Sequence, residues 1–166
     1  MSSLNLKKII REKLKGAKRV ALLGVGSELR GDDAAGILAA KQLKKAVKVK
    51  QVKFKVFLGE TAPENFTGEI KKFNPTHLII IDTADAGKKA GTLMLINPET
   101  VGGISFSTHV MPTKIMVDYL LSSIDCQIII LGVQPKNLAF GDPLSHEVEH
   151  AVEDITSALE SCLKGL

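Results

Sequence analysis

The chain has 166 residues, 45% of them apolar and 24% charged, a balance that excludes a disordered or fibrous protein. At roughly 150 residues per domain it is expected to form one domain over residues 1–166, with a core large enough to fold without disulfide or metal. The net charge of +4 conceals an asymmetry: residues 1–55 hold 15 of the 22 Lys and Arg side chains and only four acids (Glu12, Glu28, Asp32 and Asp33).

Such asymmetry is compatible with nucleic-acid binding. Here, however, the bases are spread through helix-like and strand-like stretches and lack interleaved aromatics, the whole chain having one Tyr and no Trp. The expectation is a solvated basic face, and no nucleic-acid partner. The apolar runs LIIID and CQIIILG are strand-sized, far short of the roughly 18 residues of a membrane span, so no membrane insertion is expected. Residues 1–15 lack the continuous apolar core of a secretory signal. Cys126 and Cys162 lie in apolar segments and read as buried thiols of a cytoplasmic protein.

In chain order, residues 3–15 alternate lysines with Leu4, Leu6, Ile9, Ile10 and Leu14 as an amphipathic helix does. Residues 19–24 (RVALLG) form a buried strand ending in glycine, and residues 32–48 a helix. Residues 50–58 alternate, with Val52, Phe54 and Val56 opposite lysines, as a half-exposed strand does. Thr61-Ala62-Pro63-Glu64 fits a capping box with Thr61 as N-cap and Glu64 at N3, opening a short helix that runs to about Phe73. Residues 77–82 (HLIIID) are hydrophobic throughout, as central parallel strands are. Residues 91–96 are strand-like, 112–123 helical, 127–133 a strand and 143–163 the closing helix. This alternation predicts an α/β fold: three layers, with a mostly parallel twisted sheet of about five strands between helices.

Open α/β sheets bind ligands beyond the carboxyl ends of their strands. That rule selects the loop Gly24–Asp33, the segment Asp82–Asp85, and Ser107–Met111 ahead of a helix. Gly24-Val25-Gly26 invites a dinucleotide reading, but the third glycine of G-x-G-x-x-G falls on Leu29. Asp32 and Asp33, moreover, occupy the helix N-terminus where a phosphate would lie. Taken singly, the Asp pair serves as a helix cap, Asp82 as a strand end and His109 as a polar residue before a helix. Taken together, Asp33, Asp82 and His109 supply two oxygens and one imidazole, suited to nickel or zinc with open positions. A cation would also relieve the repulsion between the two carboxylates.

His146-Glu147-Val148-Glu149-His150 matches H-E-x-x-H and its inverted form. At 100° per residue, Val148, Val152, Ile155, Leu159 and Cys162 form one apolar stripe, and His146 and His150 point about 160° away from it. A zinc-protease helix must turn its histidines inward, so the match reads as a coincidence.

The segments GVGSELRGDDAAG, GETAPENFTG, LIIIDTAD, STHVMP and LGVQPKNLAF, in this order, resemble the NiFe-hydrogenase maturation endopeptidases, and in particular their HycI type, which processes the large subunit of hydrogenase 3. The resemblance spans nearly the whole chain. It implies a twisted sheet between helices and an endopeptidase that removes a short C-terminal extension from the hydrogenase large-subunit precursor once nickel is inserted. It implies nickel carried by the substrate as the recognition signal, no organic cofactor, and a monomer before docking. The family's metal-contacting positions fall on Asp33, Asp82 and His109, with Asp33 or Asp82 as candidate general base. Thr108, Glu60 and Thr61 are candidate substrate contacts. Ser27 and Glu28 depart from the family's usual Asn and apolar residue; Glu28 reads as a solvent-facing charge or as an extra carboxylate near the metal. Neither cysteine is a candidate nucleophile. The rival readings are a resident-metal, zinc-type hydrolase at the same Asp/Asp/His site, and a non-enzymatic nucleotide-binding or nucleic-acid-binding α/β module.

Overall fold

Leu22, Leu23, Ile79, Ile80, Ile81, Ile129, Ile130 and Leu131 are almost wholly withdrawn from solvent, because their strands carry apolar side chains on both faces and need a helical layer on each. A computed structural model describes residues 3–98, 105–106 and 113–166. In chain order the elements are α1 (Ser3–Lys13), β1 (Arg19–Val25), a 3₁₀ turn (Gly31–Ala34), α2 (Ala35–Ala46), β2 (Lys53–Glu60), a second 3₁₀ turn (Pro63–Phe66), α3 (Thr67–Phe73), β3 (His77–Asp85), β4 (Leu93–Ile96), β5 (Ser105–Phe106), α4 (Thr113–Ser123), β6 (Gln127–Val133) and α5 (His146–Lys164).

The sheet runs β2-β1-β3-β6-β4, with β5 pairing only to the end of β3. β1, β2, β3 and β6 are parallel, and β4 is antiparallel to β6. The expected α/β fold with a mostly parallel sheet between helices is what forms. On one face α1, α2 and α5 bury Leu6, Ile10, Leu43, Val152 and Leu159 against the strands, joined by Leu14 just after α1. On the other, α3 and α4 bring Ile70, Met116, Val117 and Leu120. Each large aliphatic side chain so buried contributes about 1.5–3 kcal/mol.

Several local expectations need correcting. Leu4 is 83% exposed and outside the core, since α1 turns only Leu6 and Ile10, one helical turn apart, fully inward. The capping box does not form: the residue before the Pro63–Phe66 turn is Ala62, and no side chain caps it. Pro63 takes the first helical position, which leaves Thr61 one residue too early and Glu64 one residue short of N3. One carboxylate oxygen of Glu64 is consequently buried without a hydrogen bond. β2 begins at Lys53, so Val52 is buried ahead of the strand.

Candidate functional site

The carboxyl ends of β1 and β3 are held together by the start of α2. Gly36 lies so close to both strands that a Cβ there would stand 2.2 Å from the Val25 carbonyl and 2.3 Å from that of Ile81. Only glycine permits this approach, and it sets the residues just before α2 beside those just after Ile81. Gly26 serves in the same way: its φ of +126° is open to glycine, and a Cβ would run into the Asp33 carbonyl. Residues 31–34 form a tight 3₁₀ turn where sequence periodicity suggested the first turn of a helix, and its two acids do not cap it.

Asp33 and Asp82, both expected in the site, are each wholly buried. The Ser27 amide donates to Asp33 Oδ2 at 3.0 Å, and the Thr83 amide to Asp82 Oδ1 at 2.7 Å. A bond between their neighbours joins the two segments: Thr83 Oγ1 donates to the Asp32 carbonyl at 2.9 Å. The two acids are thus brought to one edge of the sheet. Holding carboxylates out of water costs several kcal/mol each unless something compensates, which makes a pair of them a candidate for cation recognition. His109 and Thr108 lie outside the described residues. Among the described residues, no group of three or more His, Cys, Asp or Glu side chains is disposed to hold a metal ion.

Asp32 was expected to act as a helix cap, yet its partners lie more than 100 residues away. Its carboxylate accepts from the amides of Lys136 (2.7 Å), Asn137 (3.0 Å) and Ser145 (2.7 Å), and from Ser145 Oγ (2.9 Å). The Asp32 amide donates to the Asn137 carbonyl at 2.9 Å. Asp32 therefore straps the 134–145 loop, and with it the start of α5, to the turn that bears Asp33. Gln134, 4% exposed, was not singled out in the sequence. Its Oε1 accepts from the amides of Ala86 and Lys88, and its Nε2 donates to Asp85 Oδ1 at 2.9 Å. It shapes the loop after β3, and this hydrogen bond holds the Asp85 carboxyl below its ordinary pKa.

Glu60 and Thr61, the candidate substrate contacts, are exposed at the carboxyl end of β2 on this same edge. Glu60 sits at a register irregularity opposite Val25. Its φ of +49° is uncommon for a side-chain-bearing residue, and its carbonyl accepts from the Gly26 amide at 2.9 Å. Ser27 supports its turn, its Oγ accepting from the Leu29 amide at 3.3 Å. Glu28 is exposed and pairs with Lys41, as the solvent-facing reading holds. Burial pushes the Cys126 thiol up to about 11 and raises that of Cys162, so neither is an activated nucleophile.

The HycI hydrogenase maturation protease profile matches residues 37–162. The chain belongs to this family. The family match takes in Asp82 and His109 and starts just after Asp33. Among relatives of this HycI-family chain, a Methanocaldococcus jannaschii protein assigned as a hydrogenase maturation protease is 36% identical over 97% of the chain and 98% of its own length. The Escherichia coli K12 hydrogenase 3 maturation protease is likewise 36% identical, over 84% of this chain and 87% of the relative. The crystal structure of the NiFe hydrogenase maturation protease HycI from Thermococcus kodakarensis KOD1 superposes with a TM-score of 0.84 at 27% identity, covering 94% of this chain and 99% of that one. Membership makes the chain a hydrolase, a protease of the hydrogenase maturation class. No described helix is long and apolar enough to cross a membrane.

Proposed function

We propose that this HycI-family chain removes the C-terminal extension of a NiFe-hydrogenase large-subunit precursor, and that nickel already held by the precursor is what it recognises. The observation that carries this reading is the pair Asp33 and Asp82, both wholly buried and both at the joined carboxyl ends of β1 and β3. With His109, they present two carboxylates and an imidazole, a donor set suited to nickel with vacant positions. Nickel here is part of the substrate. An unloaded precursor brings no ion for these groups to meet and so loses the docking interaction.

The docked ion polarises the scissile carbonyl as a Lewis acid. Asp33 or Asp82 then takes the proton of the attacking water. Glu60, Thr61 and Thr108 are assigned to the flanking peptide, and Glu60 and Thr61 reach solvent on the same edge as the acids. The enzyme works as a cytoplasmic monomer until it docks, in keeping with its two unactivated, unpaired thiols.

The test is processing of nickel-loaded and nickel-free precursor by the wild type and by Asp33→Asn, Asp82→Asn and His109→Ala. Each variant is expected to lose about a hundredfold or more in rate while keeping the native circular dichroism. Nickel-free precursor should stay uncut by every form. Equal cleavage of loaded and unloaded precursor would point instead to a resident ion, and wild-type rates in all three variants would remove the site.

A further inference from the structure

His146 and His150 stand one turn apart on α5, with side chains 77% and 63% exposed, on the face opposite the buried Val148–Cys162 stripe. Their rings meet edge to face with centroids 4.3 Å apart, and the two Nε2 atoms are 3.1 Å apart. Each Nδ1 is turned toward a carboxylate three residues on: His150 to Glu153 at 3.2 Å and His146 to Glu149 at 3.8 Å. The Glu153 carboxylate hydrogen-bonded at His150 Nδ1 favours the tautomer with its hydrogen there, leaving the His150 Nε2 lone pair to accept from His146 Nε2. The two nitrogens share one hydrogen, and an ion that takes its place meets both Nε2 atoms once His146 carries its own hydrogen on Nδ1. Two imidazole nitrogens bound at about 2.1 Å and at a right angle to each other are about 3 Å apart, so the rings already stand at chelating distance.

The surroundings favour a cation as well. Residues 145–154 contain Glu147, Glu149, Glu153 and Asp154 and no Lys or Arg. Lys136 reaches this stretch but is engaged by Glu147 at 2.7 Å.

We infer that His146 and His150 form a two-imidazole chelate for a single divalent transition ion, with Glu149 and Glu153 as the carboxylates that orient the rings and water completing the coordination. This site is separate from Asp33, Asp82 and His109, and it gives the helical His-Glu-Val-Glu-His segment a role that is not proteolytic. Imidazole pairs suit Cu²⁺, Ni²⁺ and Zn²⁺, and affinity should be highest for Cu²⁺.

The test titrates tag-free full-length protein with Ni²⁺ in a non-coordinating buffer and records Cu²⁺ electron paramagnetic resonance in parallel. Asp33→Asn/Asp82→Asn protein is expected to keep one ion per chain at this site, with nitrogen hyperfine structure from two imidazoles. In that background His150→Ala or His146→Ala should abolish saturation over the same Ni²⁺ range and leave one nitrogen coupled to copper. Glu153→Gln should weaken Ni²⁺ binding about tenfold with both nitrogens retained. Unchanged binding in either histidine variant would overturn the inference, as would no binding by the Asp33→Asn/Asp82→Asn protein. These outcomes are independent of precursor cleavage, so the failure of this site and the failure of the proposed function are distinguishable.

Discussion

The strand-end edge and the outer face of α5 both gather carboxylates, and treat them in opposite ways. At the edge, Asp32, Asp33 and Asp82 are entirely withdrawn from water, and the Asp32 carboxylate alone accepts four hydrogen bonds. On α5 His146 and His150 stand in solvent, each ring meeting side chains within one turn. The difference shows that a matching string of letters does not make a protease site. H-E-x-x-H matches a protease signature and faces water, whereas two aspartates far apart in the chain are gathered by the fold.

Three measurements sharpen that contrast, in order of expected effect. Asp32→Ala leaves the amides of Lys136, Asn137 and Ser145 without their acceptor. It should cost about 3 kcal/mol, a fall of roughly 6–12 °C in Tm, and precursor cleavage should fall because the turn that bears Asp33 loosens. A Tm within a degree or two of wild type would show that the strap contributes nothing to the edge.

The second is pH-dependent. The Cys126 thiol rises on folding from 9.0 to about 11 because burial disfavours the thiolate. Its raised folded value means that its contribution to stability is whole below pH 9 and fades as pH climbs through 11. The Tm advantage of wild type over Cys126→Ala should therefore be smaller at pH 10.5 than at pH 8. A constant difference would contradict the burial effect. The smallest effect belongs to the exposed helix: Glu160→Gln breaks the one-turn pair with Lys164 and should cost about 0.3–0.5 kcal/mol in chemical denaturation. A loss as large as that of Asp32→Ala would erase the contrast.

Much of this was legible in the residues. Unbroken apolarity marked β1 as a buried strand and β3 as a central one, and the rule that ligands lie beyond strand ends led to Asp33 and Asp82. What stayed hidden depends on pairing at a distance. Asp32 looked like a local cap because its partners are at 136, 137 and 145, and nothing near residue 32 announces them. Gln134 was passed over because a single amide carries no spacing signal, although its place at the end of β6 was available. The four residues of β4 gave no sign of direction, and its antiparallel pairing is set by β6. At Thr61 a sequence pattern for capping was outweighed by Pro63, whose ring claims the first helical position.

The strap made by Asp32 also bears on when the molecule matures during synthesis. The turn carrying Asp33 is made early, but its tether lies beyond residue 134, and contacts this distant in sequence close late. A nascent polypeptide with residues 136–145 still inside the ribosome lacks the groups that lock this turn. The turn that bears Asp33 is thus locked only after residues 136–145 have folded back onto it.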